Sequence, residues 1–266
     1  MNKIAFIGSG NMASAIAGGI IKSKTVLPSD VILFDKNEEQ YKKFDAECKK
    51  ASCAKEAALC ADYVFFSVKP QNIKDVLSEI SSLDNTGKVF ISICAGITIE
   101  SIERQLGKVK IIRVMPNTPL LIGQGVTALC KNEFVTKEEF DFVSSLFSSS
   151  GYTTEIEEKD FSALTALTSS SPAYVYLFAK SMLTGAQKLG FDPSDAVLLV
   201  CKTLIGSANM ILSDSRSLDE LIRMVKSPNG TTEKALDVFE NNNFTDIVCE
   251  AMKACADRAE ELAKMN

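Results

Sequence analysis

A chain of 266 residues with 46% apolar positions, and with 29 Lys and Arg against 34 Asp and Glu, can bury enough apolar surface for two packed domains. Its scattered net charge of −5, with no stripe of Lys and Arg, argues against a nucleic-acid partner. The chain has no histidine, which excludes Ser-His-Asp and Cys-His catalysis, histidine-bearing zinc sites and dehydrogenases that use an imidazole acid.

No metal site is expected, so chemistry must run on hydroxyls, Lys, carboxylates, backbone amides or a cofactor. The start MNKIAFIGSG lacks a basic n-region, a long apolar h-region and a small-residue cleavage site. No later stretch reads as the unbroken apolar length of a membrane span, so a cytoplasmic location and no membrane partner are expected. The eight cysteines form no CxxC pair, and Cys94, Cys130, Cys201 and Cys249 sit inside apolar runs. They are expected to be reduced and buried.

The first apolar run, KIAFI (3–7), is followed by GSGNMA and then by helical spacing from Met12 to about Lys22, which predicts strand, glycine turn, helix. Further runs follow at 31–35, 63–68, 89–95, 110–116, 125–130 and 152–156, with helical periodicity between most of them. Buried strands alternating with helices predict an α/β domain over residues 1–157, built on a largely parallel, doubly wound Rossmann-like sheet. The last strands have the option of running antiparallel at an edge.

From residue 158 to 266 the sequence carries helical spacing and caps with no strand punctuation, which predicts an all-α domain. Pro172 and Pro193 suit first-turn positions, Gly190 a helix end, and Asp192 and Ser217 N-caps. Between Ala196 and Leu212 apolar residues point nearly all round, broken mainly by Lys202, Ser207 and Asn209. Such a helix needs covering on every side, and a domain of this size cannot enclose it, so a homo-oligomer is expected.

In GSGNMA, the spacing of Gly8, Gly10 and Ala13 matches G-x-G-x-x-A: a tight turn, room for a pyrophosphate, and close helix–strand packing. Ser9, Asn11 and Met12 complete this candidate loop, whose helix N-terminus presents free N–H groups to phosphates. Asp35 ends the second strand, where an acid binds a ribose 2′-hydroxyl or simply caps the strand, and Lys36 beside it suits a 2′-phosphate. The cofactor is therefore NAD or NADP, with the choice open. SVKPQ, ICAGI and VMPNTP fall at the carboxyl ends of predicted strands and contribute Val68, Lys69, Pro70, Ala95 and Asn117 as cofactor contacts. Lys69 reads either as a general acid or as an exposed lysine whose stem touches the cofactor.

Taken in order, IAFIGSGNMASAI, VFFSVKPQ, SICAGITIESIERQLG, IIRVMPNTP, SSSPAYVYLF and VKSPNGTTEKAL resemble the pyrroline-5-carboxylate reductases over essentially the whole chain. MPNTP and SPNGTT are far more specific than the glycine loop. The resemblance implies NAD(P)H-dependent reduction of the cyclic imine 1-pyrroline-5-carboxylate to L-proline, the last step of proline biosynthesis. It also implies a helical domain that binds substrate and builds a dimer, often assembled further into a decamer.

It places substrate binding on Val225, Ser227, Asn229, Gly230 and Thr231, and gives Thr232 the role of hydrogen-bonding the ring nitrogen. Asn229 and Gly230 suit the left-handed residues of a tight turn, after which Thr231 and Thr232 open a helix. An ordinary N-cap fits the same local sequence. Three positions depart from the family pattern. Thr168-Ser169-Ser170-Ser171 stands where Ser-Gly-Ser-Gly is usual, Asn229 replaces a glycine, and Ala54 replaces an asparagine on the adenosine side. Two rivals are a hydroxy-acid dehydrogenase of the same shape, for which Lys180 is placed, and a nucleotide-sensing module without turnover.

Overall fold

The computed structural model describes residues 2–265, which form two compact units: residues up to Ser170 together with those from Cys255 onward, and Ser171–Ala254. The first unit is built on an eight-stranded sheet in the order β3-β2-β1-β4-β5-β6-β7-β8. Its strands are β1 (Ile4–Ile7), β2 (Val31–Phe34), β3 (Lys49–Lys50), β4 (Tyr63–Phe66), β5 (Val89–Ser92), β6 (Lys110–Pro116), β7 (Gly125–Lys131) and β8 (Gly151–Glu155). Every pairing is parallel except β6 with β7. The connection from β6 to β7 is too short for a crossover, so the chain turns back there. The last two strands thus run against the rest, and the predicted doubly wound sheet with an antiparallel edge is what the chain forms. β3, two lysines long, had no apolar run to announce it.

Both faces of the sheet are covered, because successive side chains on a strand point to opposite faces. Ala5, Ile7, Val64 and Phe66 pack beneath α2 (Ala54–Leu59), α3 (Ile73–Ile80) and α4 (Ile99–Leu106). Ile4, Phe6 and Phe65 pack beneath α1 (Asn11–Lys22) and α5 (Lys137–Ser148). Stacked rings fill each layer: Phe66 on Phe90 with centroids 5.5 Å apart, and Phe6 on Phe65 at 4.7 Å. Caps fix where helices begin. The Thr98 hydroxyl accepts the Ser101 N–H at the start of α4, and Thr136 and Glu139 form a reciprocal capping box on α5.

After β8, α6 (Phe161–Leu164) and a π-helical turn at Thr165–Ser169 still belong to this unit, and Phe161 is buried in its core. The second unit holds α7 (Ser171–Lys188), α8 (Pro193–Ser213), α9 (Leu218–Val225), α10 (Thr231–Asn241) and the first half of α11 (Phe244–Met265). Asp192 caps α8 by accepting the Ser194 N–H, Pro193 stands in its first turn, and Ser217 caps α9, as the sequence predicts.

The second unit has little core of its own. No residue of α7, α9, α10 or α11 is buried, and α8 buries only Ala196 and Val200. Two expectations change here. α8 is long and apolar enough to cross a membrane by length and composition, which its interruptions at Lys202, Ser207 and Asn209 concealed. All eight cysteines are free, but Cys60 is exposed at the end of α2, and Cys201 and Cys249 are exposed on sides of α8 and α11 that the single chain leaves uncovered. Cys94 and Cys130 are buried as predicted, and burial pushes each thiol up to about 12.

Candidate active site

The glycine loop leaves β1 in a conformation that few residues other than glycine adopt. Gly8 has φ +96°, and a Cβ there would lie 2.6 Å from the Ser67 carbonyl at the end of β4. The loop is fastened on both sides: Gly8 N–H donates to Phe34 O at 2.8 Å, and the Ser67 hydroxyl donates to Gly8 O at 2.6 Å. Gly10 is the N-cap of α1, makes no side-chain cap, and has no atom within 4 Å of where a Cβ would stand. Among the described residues, the first-turn N–H groups of Asn11, Met12 and Ala13 have no hydrogen-bond partner, which is the arrangement an anion needs. Ala13, fully buried, lets α1 lie close on the sheet.

A cleft of about 540 Å³ opens beside this loop, and Gly8, Gly10, Asn11, Asp35, Lys36, Val68 and Lys69 all line it. Asp35 braces the loop, since its Oδ2 accepts the Ser9 N–H at 2.7 Å and its Oδ1 accepts the Asn37 N–H at 2.8 Å. The strand-end capping role weighed for this residue is thus present in the molecule. Lys69 is exposed on the first residue before a 3₁₀ turn at Pro70–Asn72. The Cys94 thiol donates to the carbonyl of Val68 at 3.2 Å, holding the β4 end against the β5 end, where Ala95 is exposed.

Asn117 is buried, and its carboxamide is engaged within the protein: Oδ1 accepts the Val126 N–H at 2.8 Å, and Nδ2 donates to Thr168 O at 3.0 Å. It braces the β6–β7 connection against the π-helical turn. Met12 packs on the core beneath α1. The cleft also takes in Ser67, Asn37, Gln40, Lys43, Asn72 and Val76, none of them singled out in the sequence. Exposed polar residues after the second strand carry no periodic signal, and only the chain's return over α1 brings them here.

In the second unit, α9 ends at Val225, exposed, and SPNGTT makes the turn into α10. Asn229 takes the predicted left-handed conformation with φ +60°. Gly230 does not: it is extended, with φ −83° and ψ 172°, and its N–H is taken by Ser227 O at 2.9 Å. Glycine is needed there for closeness, because a Cβ would lie 2.2 Å from the Ser227 hydroxyl. Gly230 is the N-cap of α10 and offers no side-chain cap. Among the described residues, the N–H groups of Thr231, Thr232 and Glu233 make no main-chain hydrogen bond, and neither threonine hydroxyl makes any. The acid in this first turn is tied down, since Glu233 accepts the Asn229 N–H at 2.8 Å and pairs with Lys226 at 3.7 Å. The result is a helix N-terminus with three open amides and a free, half-buried hydroxyl on Thr232.

Comparison with known proteins gives both units relatives. A family model described as pyrroline-5-carboxylate reductase dimerisation matches residues 158–262, and one described as NADP oxidoreductase coenzyme F420-dependent matches residues 3–96. The pyrroline-5-carboxylate reductase of Escherichia coli is 38% identical over 267 residues, covering 98% of each chain. The crystal structure of Plasmodium falciparum pyrroline carboxylate reductase with NADP bound superposes with a TM-score of 0.92 at 31% identity, covering 98% of each chain. That of a pyrroline-5-carboxylate reductase from Coxiella burnetii gives 0.88 at 34%, again covering 98% of each chain. With a tight glycine loop leading into an uncapped helix in one unit, an uncapped SPNGTT helix start in the other, and full-length likeness to these enzymes, the chain belongs to the pyrroline-5-carboxylate reductase family.

Proposed function

We propose that this chain reduces 1-pyrroline-5-carboxylate to L-proline with NAD(P)H, completing proline biosynthesis. The observation that carries the reading is the start of α10, where open amides and the free Thr232 hydroxyl stand side by side. A helix N-terminus attracts a carboxylate, and the substrate carries one beside its ring nitrogen. The amides of Thr231 and Thr232 hold that carboxylate, and the Thr232 hydroxyl fixes the nitrogen. Val225, Ser227 and Asn229 shape the pocket through the turn, with Gly230 making its close approach possible.

The nucleotide fits the glycine loop, whose Gly10 leaves free the space a side chain would fill, and when bound it supplies the hydride. Gly8, Ser9, Gly10, Asn11 and Met12 form the phosphate end of its site, and Val68, Lys69, Pro70 and Ala95 border the strand ends. Asn117 acts by holding the β6–β7 connection in place. A protonated cyclic imine is already electrophilic, so no histidine is required. The protein's work is to hold the ring within near-attack distance, roughly 3–3.5 Å, and to keep water away.

Residues 1–157 serve as the nucleotide domain and 158–266 as the substrate and dimerisation domain. The working form is a homodimer, assembled further into a decamer, in the cytoplasm, with neither nucleic acid nor membrane as a partner. The test is nucleotide oxidation by the purified chain with pyrroline-5-carboxylate and, separately, with simple hydroxy acids. Absorbance loss that depends on the imine and yields proline is expected. Turnover of hydroxy acids alone would give the role to a different reductase, with exposed Lys180 of α7 as its candidate acid. Nucleotide binding without turnover of either would leave a sensor.

A further inference from the structure

The nucleotide cleft is lined by more cations than acids. Lys36, Lys43 and Lys69 line it, and among the described residues none of the three is in an ion pair. The one acid in the lining, Asp35, has each carboxylate oxygen on a main-chain N–H, from Ser9 and from Asn37. Those two donors partly offset its charge and commit its orientation to the loop.

Lys43 is the most constrained of the three cations. It ends a 3₁₀ segment over Glu38–Lys43 that folds back on α1, where the Ser14 hydroxyl donates to Lys43 O at 3.0 Å. Its ammonium donates to Asn11 Oδ1 at 2.6 Å and to Gln40 Oε1 at 2.6 Å. Both acceptors are neutral amides, so they fix the position of the charge without cancelling it. A pre-positioned cation loses less freedom when an anion arrives, and that raises affinity.

NADPH differs from NADH by one phosphate on the adenosine ribose, carrying about −1.5 to −2 charge at neutral pH. We propose that Lys43, assisted by Lys36, recognises that 2′-phosphate and makes the chain NADPH-preferring. The assignment rests on the reading of the chain as a nucleotide-dependent reductase and deepens it. It moves cofactor choice from the strand-end pair Asp35 and Lys36 to a residue seven positions further on, which only the folded-back segment brings to the cleft.

The experiment is calorimetric binding of 2′,5′-ADP and of 5′-AMP, which differ only in the 2′-phosphate, to the full chain. The wild type should bind 2′,5′-ADP roughly tenfold or more tightly than 5′-AMP, the range for a charge-assisted contact. Lys43→Gln should cut that ratio to about threefold or less, and Lys43→Arg should keep most of it. Equal binding of the two nucleotides by the wild type, or equal weakening of both by Lys43→Gln, would overturn the assignment. Neither measurement contains the imine, so failure here leaves the proposed reaction standing, and failure of the reductase assay leaves this result standing.

Discussion

Thr232 carries a hydroxyl that does nothing for the fold, and this separates its two readings. An N-cap threonine would accept a first-turn N–H, but the cap of α10 is Gly230 and the Thr232 hydroxyl is unbonded among the described residues. Thr232→Ala should therefore change stability by no more than about 0.5 kcal/mol. The same change should lower kcat/KM for pyrroline-5-carboxylate roughly ten- to a thousandfold, since a hydrogen bond to a charged group is worth about 1.5–3 kcal/mol and misorientation adds to it. Thr232→Ser should recover most of the loss. Melting temperature and kcat/KM measured on the three proteins decide the matter, and unchanged turnover in the alanine variant defeats the positioning role. What the sequence made legible at this scale was residue type with a stereochemical demand: Gly8 for its positive φ, Asn229 for its left-handed turn, Asp192 and Ser217 for their caps. What stayed hidden was partnership. Gly230 reads as a turn glycine, but its need is contact with Ser227, and Lys43 reads as one lysine among many until Asn11 and Gln40 hold it.

Elements were legible where burial is uniform. A parallel strand covered on both faces must be a continuous apolar run, which is how β1, β2, β4, β5 and β6 announce themselves. The π-helical turn at Thr165–Ser169 has no such pattern, because it is set by what the chain meets there, including the Asn117 bond to Thr168 O. The same region shows how elements are tied together. Arg113, buried on β6, donates to Glu158 Oε1 at 2.9 Å and lies over the Phe161 ring at 4.4 Å. That carboxylate oxygen also accepts the Ile99 N–H at 2.8 Å, at the start of α4. Glu158→Gln keeps an acceptor for Ile99 but leaves a buried cation unpaired, and should destabilise by about 2–3 kcal/mol, below the full range for buried pairs because Glu158 is partly exposed. Adding Arg113→Met removes the orphaned charge and should restore more than half of that loss in urea unfolding. A double variant as unstable as the sum of the two single ones would show that the pair is not coupled.

At the scale of the whole molecule, the second unit is a set of helices with almost no inside. Leu198, Ile205 and Leu212 recur every seven residues along α8 and are 62%, 56% and 86% exposed, which is a seam rather than a scatter of surface apolar side chains. By length and hydropathy this helix would suit a lipid bilayer, but the family model described as dimerisation spans it, and a second copy is the apolar cover we propose for it. The sequence showed that α8 must be covered, since an all-round apolar helix cannot be enclosed by so small a unit; it showed nothing of which residues form the seam, because every side looked alike. If association and folding are linked, each tenfold dilution withdraws about 1.4 kcal/mol of association free energy, and melting temperature should fall steadily with concentration. Ile205→Glu sharpens the test. In a lone chain it alters an exposed side chain and should matter little, whereas in a covered seam it buries an unpaired carboxylate, which costs several kcal/mol. Sedimentation of this variant should show dissociated chains with a lowered and concentration-independent melting temperature. A compact wild-type monomer at high concentration, or an Ile205→Glu protein that sediments and melts like the wild type, would mean that α8 is not the face that joins the subunits.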